Sequence, residues 1–266
     1  MERANADDGT TLEYEVQGSG EPVVFIHGAH VADSFKLLMA DAALKDFRLI
    51  RYRRRGYASG QAGSTASISQ HAADCLALLK ILDAVPAHVV GHSSGGVMAI
   101  QLALDAPEAV RSLTLLEPAL LDVPSGPELL EQLAPTGQMY ESGDKAAAVD
   151  TFMRVVCGNG YRVAVDAGLP GAMEQAVAVA DTFWGVELPA VGSWSFSQED
   201  ASRIKQPVFA VLGGNSEAVW PGYGEIQQRL LEWLPQAKPF VLPRATHLLQ
   251  MENPRDMAEA LAGFLH

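Results

Sequence analysis

The chain has 266 residues, of which 48% are hydrophobic, and its formal net charge is −13 at pH 7. This length suits one domain with an insertion, or two small domains, with enough apolar residues for a large core. The acidic excess excludes nucleic acid and anionic membranes as expected partners, and no apolar run is long enough to span a bilayer.

Strands alternate with helices through the first part of the chain. Residues 11–16 alternate apolar and polar side chains, as a half-exposed strand does. Further strands are predicted at 22–26, 47–52, 87–90 and 110–116. Helical segments are predicted near 32–44, 69–82 and 97–104. This alternation implies right-handed crossovers and a mostly parallel sheet.

The alternation stops after Glu117-Pro118 and resumes near residue 207. Residues 120–200 have helical patterns without clear strands, and breaks are expected at prolines and glycines such as Pro135 and Gly143. After this stretch the predicted elements are a strand at 207–212, a helix near 222–234, a strand at 238–242 and a helix at 254–265. We therefore predict an α/β core formed by residues 1–119 and 201–266, with a helical insertion at 120–200.

The stretch Gly91-His92-Ser93-Ser94-Gly95 joins the strand at 87–90 to the following helix. In this setting a Gly-x-Ser-x-Gly sequence places its central serine on a sharp turn with an exposed hydroxyl. A Cβ at position 91 or 95 would collide with the neighbouring strand or helix. The backbone N–H of Ser94 lies in the first helical turn, where it is free to stabilise an oxyanion. Ser93 is the predicted nucleophile.

Among the seven histidines, His247 is the predicted general base. It follows the last strand, at the same sheet edge as Ser93, and catalytic groups gather at that edge of a parallel sheet. His247 also comes late enough in the chain to follow the nucleophile and the acid, which is the order nucleophile, acid, base. The other assignments are a structural role for His88, solvent exposure for His71 and His266, loop stabilisation for His27, and packing beside the nucleophile for His92.

Three motifs resemble those of the α/β-hydrolase superfamily, and the resemblance extends over essentially the whole chain. They are Phe25-Ile26-His27-Gly28-Ala29, the stretch around Ser93, and residues 245–254 around His247. The resemblance implies a doubly wound, mostly parallel eight-stranded sheet with an inserted helical cap. It also implies an oxyanion hole formed by the backbone N–H groups of Ala29 and Ser94, and a reaction that needs no cofactor or metal.

The acid that orients the base is where this chain departs from most relatives. They carry an aspartate after the strand at 207–212, whereas this chain has Gly213-Gly214-Asn215-Ser216. Two carboxylates could take its place: Glu217, one residue further on, and Glu117, which ends the strand after the helix that follows Ser93. Some relatives, including zearalenone lactonases, have a glutamate on that earlier strand. Glu117 is therefore the preferred acid and Glu217 the alternative.

The helical insertion is expected to cover Ser93. Phe183, Trp184, His30 and His92 are the predicted substrate-binding side chains, and such a pocket suits a neutral, apolar small molecule. We expect hydrolysis of a carboxylic ester or a lactone through an acyl-enzyme, with a macrocyclic lactone as one specific case. Two alternatives stay open: a cofactor-free perhydrolase or C–C bond hydrolase using the same residues, and a ligand-binding receptor with little turnover.

The remaining expectations concern the surroundings of the protein. The first eight residues contain no apolar segment typical of a signal peptide, and Cys75 and Cys157 lie in apolar helical patterns that favour buried free thiols. We therefore expect a cytoplasmic protein, either a monomer or a homodimer. The arginines at 51–55 are expected to form ion pairs with acidic side chains rather than to bind phosphate.

Overall fold

Eight strands form one central sheet in the computed structural model, which describes residues 1–6, 8–58 and 66–266. The strands are β1 (Glu2–Asn5), β2 (Thr11–Gln17), β3 (Glu21–Ile26), β4 (Phe47–Arg53), β5 (Ala87–His92), β6 (Val110–Leu116), β7 (Val208–Gly213) and β8 (Ala237–Leu242). Their order across the sheet is β1-β2-β4-β3-β5-β6-β7-β8. Strand β2 is antiparallel to both of its neighbours, and the pairs from β4 to β8 are parallel.

Helices lie between consecutive strands from β3 onward, and two more follow β8. They are α1 (Lys36–Met39), α2 (Ile68–Ile81), α3 (Ser94–Asp105), α4 (Gly126–Glu141), α5 (Lys145–Cys157), α6 (Tyr161–Gly168), α7 (Ala172–Ala178), α8 (Ala180–Thr182), α9 (Leu188–Ser193), α10 (Gln198–Arg203), α11 (Gly222–Trp233), α12 (Leu249–Glu252) and α13 (Pro254–Leu265). A π-helical turn, Phe183–Glu187, joins α8 to α9. The chain between β6 and β7 is fully described and contains helices and connecting turns only.

Both faces of the sheet are covered. In β3, Val24 and Ile26 belong to one cluster of buried side chains, while Val23 and Phe25 belong to a second cluster. Successive side chains of a strand point to opposite faces, so these clusters lie on the two sides of the sheet. Helices α2 and α3 contribute to the first cluster, and α1 and α13 contribute to the second. This confirms the predicted doubly wound α/β fold.

Two helix predictions were wrong. The helix expected near 32–44 is only α1 followed by a short 3-10 turn, Ala42–Leu44, because Asp41 has an extended backbone and its side chain accepts a hydrogen bond from the Ala43 N–H. The break expected at Pro135 is absent, since Pro135 lies inside α4. Proline removes one helical hydrogen bond. Here the carbonyl left without it belongs to Glu131, which is exposed to water together with Pro135.

The arginines at positions 51–55, in the second half of β4 and just after it, form ion pairs, as predicted. The pairs are Arg51–Asp33, Arg53–Asp33, Arg53–Glu13, Arg54–Glu187 and Arg55–Asp74. The two cysteines are free and buried, which also confirms the prediction. Within the three described ranges, no helix is long and apolar enough to cross a membrane.

The prediction that His71 faces solvent was wrong. His71 lies in α2, its side chain is 2% exposed, and neither ring nitrogen has a hydrogen-bond partner among the described residues. Burial, followed by the positive charge of Arg54, lowers the pKa of His71 from 6.5 to about 3. The ring is therefore neutral in the folded protein at pH 7.

A buried neutral histidine makes stability depend on pH. Below pH 6.5 the unfolded chain binds a proton at His71, while the folded chain does not until about pH 3. The free energy of unfolding should thus lose about 2 kcal/mol from this residue between pH 7 and pH 5. Urea unfolding at pH 7 and at pH 5 measures this loss. In His71→Leu the free energy of unfolding should fall by about 2 kcal/mol less than in the wild type. His266→Leu, at the exposed C-terminus, serves as control. Equal losses in His71→Leu and the wild type would contradict the assignment.

Candidate active site

The turn between β5 and α3 has the geometry expected of a nucleophile. Ser93 has φ = 54° and ψ = −123°, a backbone conformation that residues other than glycine rarely adopt. A Cβ at Gly91 would lie 2.5 Å from the Gly95 carbonyl oxygen, and one at Gly95 would lie 2.2 Å from the Ile26 carbonyl oxygen. The two glycines therefore allow the helix to start directly against the sheet, with Ser93 at the apex of the turn.

Strand register places Ser93 next to Glu117. His92 pairs with Leu116 in the parallel β5–β6 ladder, so the next residue of each strand leaves the sheet at the same level. The Ser93 N–H donates to the Leu116 carbonyl (3.0 Å), and the Glu117 N–H donates to the Val211 carbonyl (3.2 Å). Glu117 also has a positive φ, 43°. Both residues therefore stand at the carboxyl edge of the sheet in uncommon backbone conformations.

The buried carboxylate of Glu117 contacts the ring of His247. One Glu117 oxygen lies 2.7 Å from His247 Nδ1, and the other accepts a hydrogen bond of 2.7 Å from the Gly213 N–H at the end of β7. Glu117 is 2% exposed. The alternative acid, Glu217, lies exposed on the 3-10 helix Ser216–Ala218, with its carboxylate facing Gly224. Of the two candidate carboxylates, the structure places Glu117 beside His247.

The orientation of His247 is set from three sides. Because Nδ1–H donates to Glu117, Nε2 is left as the proton acceptor. The Tyr223 ring stacks on the His247 ring at 4.6 Å with an interplanar angle of 21°. His92 donates from Nε2 to the His247 carbonyl (2.7 Å), and the Gln250 amide donates to His92 Nδ1 (3.2 Å). The imidazole is thereby held in one tautomer and one orientation.

His92 supports this loop and does not line the cavity. Burial, followed by the neighbouring His247, lowers the pKa of His92 well below its usual value, so its ring is neutral. His27 is likewise buried in the loop after β3, where its Nδ1 lies 2.7 Å from the Gly28 carbonyl oxygen. Burial is also the main cause of its lowered pKa.

Ser93, Glu117 and His247 line one cavity of about 70 Å³, together with Ala29 and Ser94. Most of the remaining lining is apolar and includes Leu129, Leu133, Phe152, Phe183, Val191 and Trp220. Pockets that bind drug-sized ligands usually measure roughly 300–1,000 Å³. In this conformation the cavity holds only a small group next to Ser93.

Within the described residues, the Ser93 hydroxyl forms no hydrogen bond with His247. Hydrogen bonds between catalytic side chains are often long in enzyme structures without substrate and tighten in the complex. The part of the chain that the structure describes also contains no group of three or more His, Cys, Asp or Glu side chains that could hold a metal ion.

The other predicted substrate-binding residues lie around Phe183, which lines the cavity. The ring of His30 packs against Phe183 with centroids 4.3 Å apart, and His30 itself lines a neighbouring cleft of about 920 Å³. His30 and Phe183, whose rings contact each other, thus line the cleft and the cavity respectively. Trp184 packs edge-on against Phe183 at 4.8 Å and stacks on Tyr140, without lining the cavity itself.

The sequence analysis did not single out the charged cavity residue Glu187, nor the apolar and aromatic lining residues such as Leu129, Trp220 and Tyr223. Glu187, in the π-helical turn, is 1% exposed and forms an ion pair of 3.0 Å with Arg54. Its signal in the sequence is a single carboxylate within the apolar stretch Trp184-Gly185-Val186-Glu187-Leu188. A buried charge of this kind requires a partner.

Comparison with known proteins identifies relatives across the chain. A sequence model of the alpha/beta hydrolase family matches residues 23–260. RutD of Azorhizobium caulinodans is 35% identical over 105 residues, which are 39% of this chain and 40% of RutD. The sn-1-specific diacylglycerol lipase ABHD11 of Mus musculus is 25% identical over 263 residues, covering 91% of this chain and 80% of that protein. The chain thus spans less than half of one curated relative and most of the other.

Solved structures show the same fold. The enol-lactonase from Burkholderia xenovorans LB400 matches with a TM-score of 0.83 at 20% identity, covering 99% of both chains. The thermophilic esterase from Thermogutta terrifontis matches with a TM-score of 0.80 at 20% identity, covering 100% of this chain and 98% of that one. At this identity the likeness establishes the arrangement of strands and helices.

Proposed function

Because this chain belongs to the alpha/beta hydrolase family, we propose that it is a serine hydrolase that cleaves a carboxylic ester or lactone of a neutral, apolar small molecule. The observation that carries the proposal is the 2.7 Å contact between Glu117 and His247 Nδ1, in a cavity that Ser93 also lines. A carboxylate, an imidazole and a hydroxyl in this order are the groups that nucleophilic acyl transfer needs.

The first half of the reaction forms an acyl-enzyme. Ser93 Oγ attacks the substrate carbonyl carbon while His247 Nε2 takes its proton, and the resulting imidazolium is stabilised by Glu117. The oxyanion is stabilised by the N–H groups of Ala29 and Ser94. The intermediate then collapses, the C–O bond to the leaving group breaks, and the leaving oxygen receives the proton from His247.

The second half restores the enzyme. A water molecule attacks the acyl carbon and transfers a proton to His247 Nε2, and the same two N–H groups stabilise the second oxyanion. Cleavage of the bond to Ser93 Oγ then releases the carboxylic acid, and His247 returns its proton to the serine. For a lactone, the alcohol and the acid are released as one hydroxy acid.

The apolar lining supports a neutral acyl group. We also propose that residues 120–200 act as the cap, since Leu129, Phe152 and Phe183 from this segment line the same cavity as Ser93. With a cavity of about 70 Å³, a short acyl group fits directly, whereas a longer one needs displacement of the helices between β6 and β7. The enol-lactonase and the esterase among the structural matches are in keeping with ester or lactone chemistry.

A substrate panel tests this proposal. We expect turnover of p-nitrophenyl esters with short acyl chains and of small lactones, with kcat/KM falling as the acyl chain lengthens. An ester whose acyl group carries a carboxylate should be a poor substrate, because the apolar lining would strip its charge of water. A fluorophosphonate should label Ser93, as read by peptide mass spectrometry. No turnover and no labelling would favour a ligand-binding receptor. Turnover only with hydrogen peroxide or with a C–C substrate would favour the other alternative.

A further inference from the structure

The carboxylate of Glu187 accepts hydrogen bonds from three residues of the α/β core. Arg54 Nη2 donates to Oε1 at 3.0 Å, and the Ser94 hydroxyl donates to the same oxygen. The Tyr57 hydroxyl donates to Oε2. Glu187 belongs to the helical segment between β6 and β7, whereas its three partners lie in the loop after β4 and at the start of α3. This carboxylate therefore joins the helical segment to the core at the cavity wall.

Glu187 is ionised at neutral pH. Burial raises the pKa of Glu187, but the charge of Arg54 and the hydrogen bonds from Ser94 and Tyr57 outweigh burial, so the pKa is lowered to about 2. Glu187 and Arg54 are each 1% exposed. Removing either partner would leave the other charge buried and unpaired. The contact therefore fixes where this part of the helical segment lies on the core.

Arg54 also contacts the peptide that carries the first oxyanion donor. Its Nη2 donates to the Gly28 carbonyl oxygen at 3.0 Å. His27 Nδ1 donates to the same oxygen, because His27 Nε2 already accepts from the Arg54 N–H. In a trans peptide the carbonyl and the next N–H point in opposite directions. Fixing the Gly28 carbonyl therefore fixes the direction of the Ala29 N–H.

The second donor is attached to the same carboxylate. The backbone N–H of Ser94 lies in the first turn of α3, and the Ser94 side chain is bound to Glu187. Ala29, Ser94 and Glu187 all line the cavity that contains Ser93. The Glu187 carboxylate thus contacts the residue that carries the Ser94 N–H directly. It acts on the Ala29 N–H indirectly, through Arg54 and the Gly28 carbonyl.

We propose that Glu187 is a positioning residue for the oxyanion hole. By binding Arg54 and Ser94, it aligns the N–H groups of Ala29 and Ser94, and it does so only while the helical segment is seated on the core. The hole is therefore complete in the closed arrangement and disturbed in an open one. This inference rests on the proposed function, because it requires an oxyanion to form at Ser93.

The test compares Glu187→Gln and Ser94→Ala with the wild type, using p-nitrophenyl butyrate as substrate and phenylboronic acid as inhibitor. Phenylboronic acid forms a tetrahedral adduct with a serine and so reports on the hole. We expect kcat to fall about 10- to 100-fold in both variants, less than the roughly 10²- to 10³-fold of losing a donor. KM should change by less than about 2-fold, while inhibitor affinity should weaken in proportion to kcat/KM.

Glu225→Gln is the matched control. Glu225 also joins the helical segment to the core through a serine, since it accepts from the Ser125 N–H (2.9 Å) and from the Ser125 hydroxyl (2.7 Å). It does not line the cavity around Ser93. This variant should keep the kcat and inhibitor affinity of the wild type.

If Glu187→Gln does not fold, Ser94→Ala alone tests the inference. It is expected to fold because the ion pair between Glu187 and Arg54 stays in place. Wild-type kcat and inhibitor affinity in a folded Glu187→Gln, or in Ser94→Ala, would overturn the inference. Equal losses in Glu225→Gln would also overturn it, since any attachment of the segment would then have the same effect. Failure of the proposed function would look different: the wild type itself would not hydrolyse p-nitrophenyl butyrate.

Discussion

Ser93→Ala should lower kcat for p-nitrophenyl butyrate by about 10⁴- to 10⁶-fold. The reason is that alanine removes the attacking oxygen, and neither the N–H donors nor His247 can form the acyl-enzyme without it. The fold should be retained. Alanine keeps the Cβ of serine, so the backbone at φ = 54° is strained to the same degree, and the described residues offer no hydrogen bond that the Ser93 hydroxyl would lose.

Single-turnover kinetics and circular dichroism would measure the two parts of this result. Ser216→Ala is a suitable control, because Ser216 is also a buried serine near the carboxyl edge of the sheet but does not line the cavity. It should keep wild-type rates. If Ser93→Ala hydrolysed the ester at the wild-type rate, another residue would have to be the nucleophile.

Glu117→Gln should lower kcat by about 10²- to 10⁴-fold, whereas Glu217→Gln should stay near the wild type. A glutamine cannot stabilise the imidazolium that forms when His247 takes the serine proton. Its amide group can also donate to His247 Nδ1 and favour the tautomer in which Nε2 already carries a proton. Glu217 is exposed, forms no hydrogen bond with His247 in the described part of the chain and does not line the cavity, so its substitution should have no comparable effect.

The comparison of these two variants is informative because both changes are isosteric. Steady-state kinetics with the same ester, alongside thermal unfolding, would separate a catalytic loss from a folding loss. The opposite ranking, with Glu217→Gln the slower enzyme, would assign the acid to Glu217. In that case the 2.7 Å contact between Glu117 and His247 would have only a structural role.

Local patterns in the sequence were sufficient to predict strands β2 to β8 and the turn at Ser93, whereas the eight-stranded sheet was expected from the family resemblance. The strands from β2 to β8 lie within two residues of their predicted limits, because apolar residues in buried strands form short, continuous or alternating runs. The requirement for glycine at 91 and 95 also followed from local sterics. The choice of Glu117 rested on its place at the end of β6 and on the resemblance to relatives with a glutamate on that strand, and the strand register sets it beside Ser93.

Other features depend on contacts that a single sequence does not display. Arg54 and Glu187 are separated by 133 positions, so the partner of each was not evident. His71 was assigned to solvent because helical spacing alone did not show that its side of α2 is covered. At Pro135, hydration of the exposed turn keeps a helix that local propensity would end. The first two features therefore depend on tertiary contacts, and the third depends on the exposure of one helical turn to water.

The narrowness of the cavity beside Ser93 has a kinetic consequence. If residues 120–200 act as the proposed cap, a bulky ester has to wait until these helices move before its carbonyl can reach Ser93, because the cavity measures only about 70 Å³. Openings of this sort commonly take microseconds to milliseconds. For large substrates the frequency of this opening, rather than the reactivity of the ester bond, would then limit the rate at which the acyl-enzyme forms. Raising the solvent viscosity would therefore slow the hydrolysis of large esters more than that of small ones.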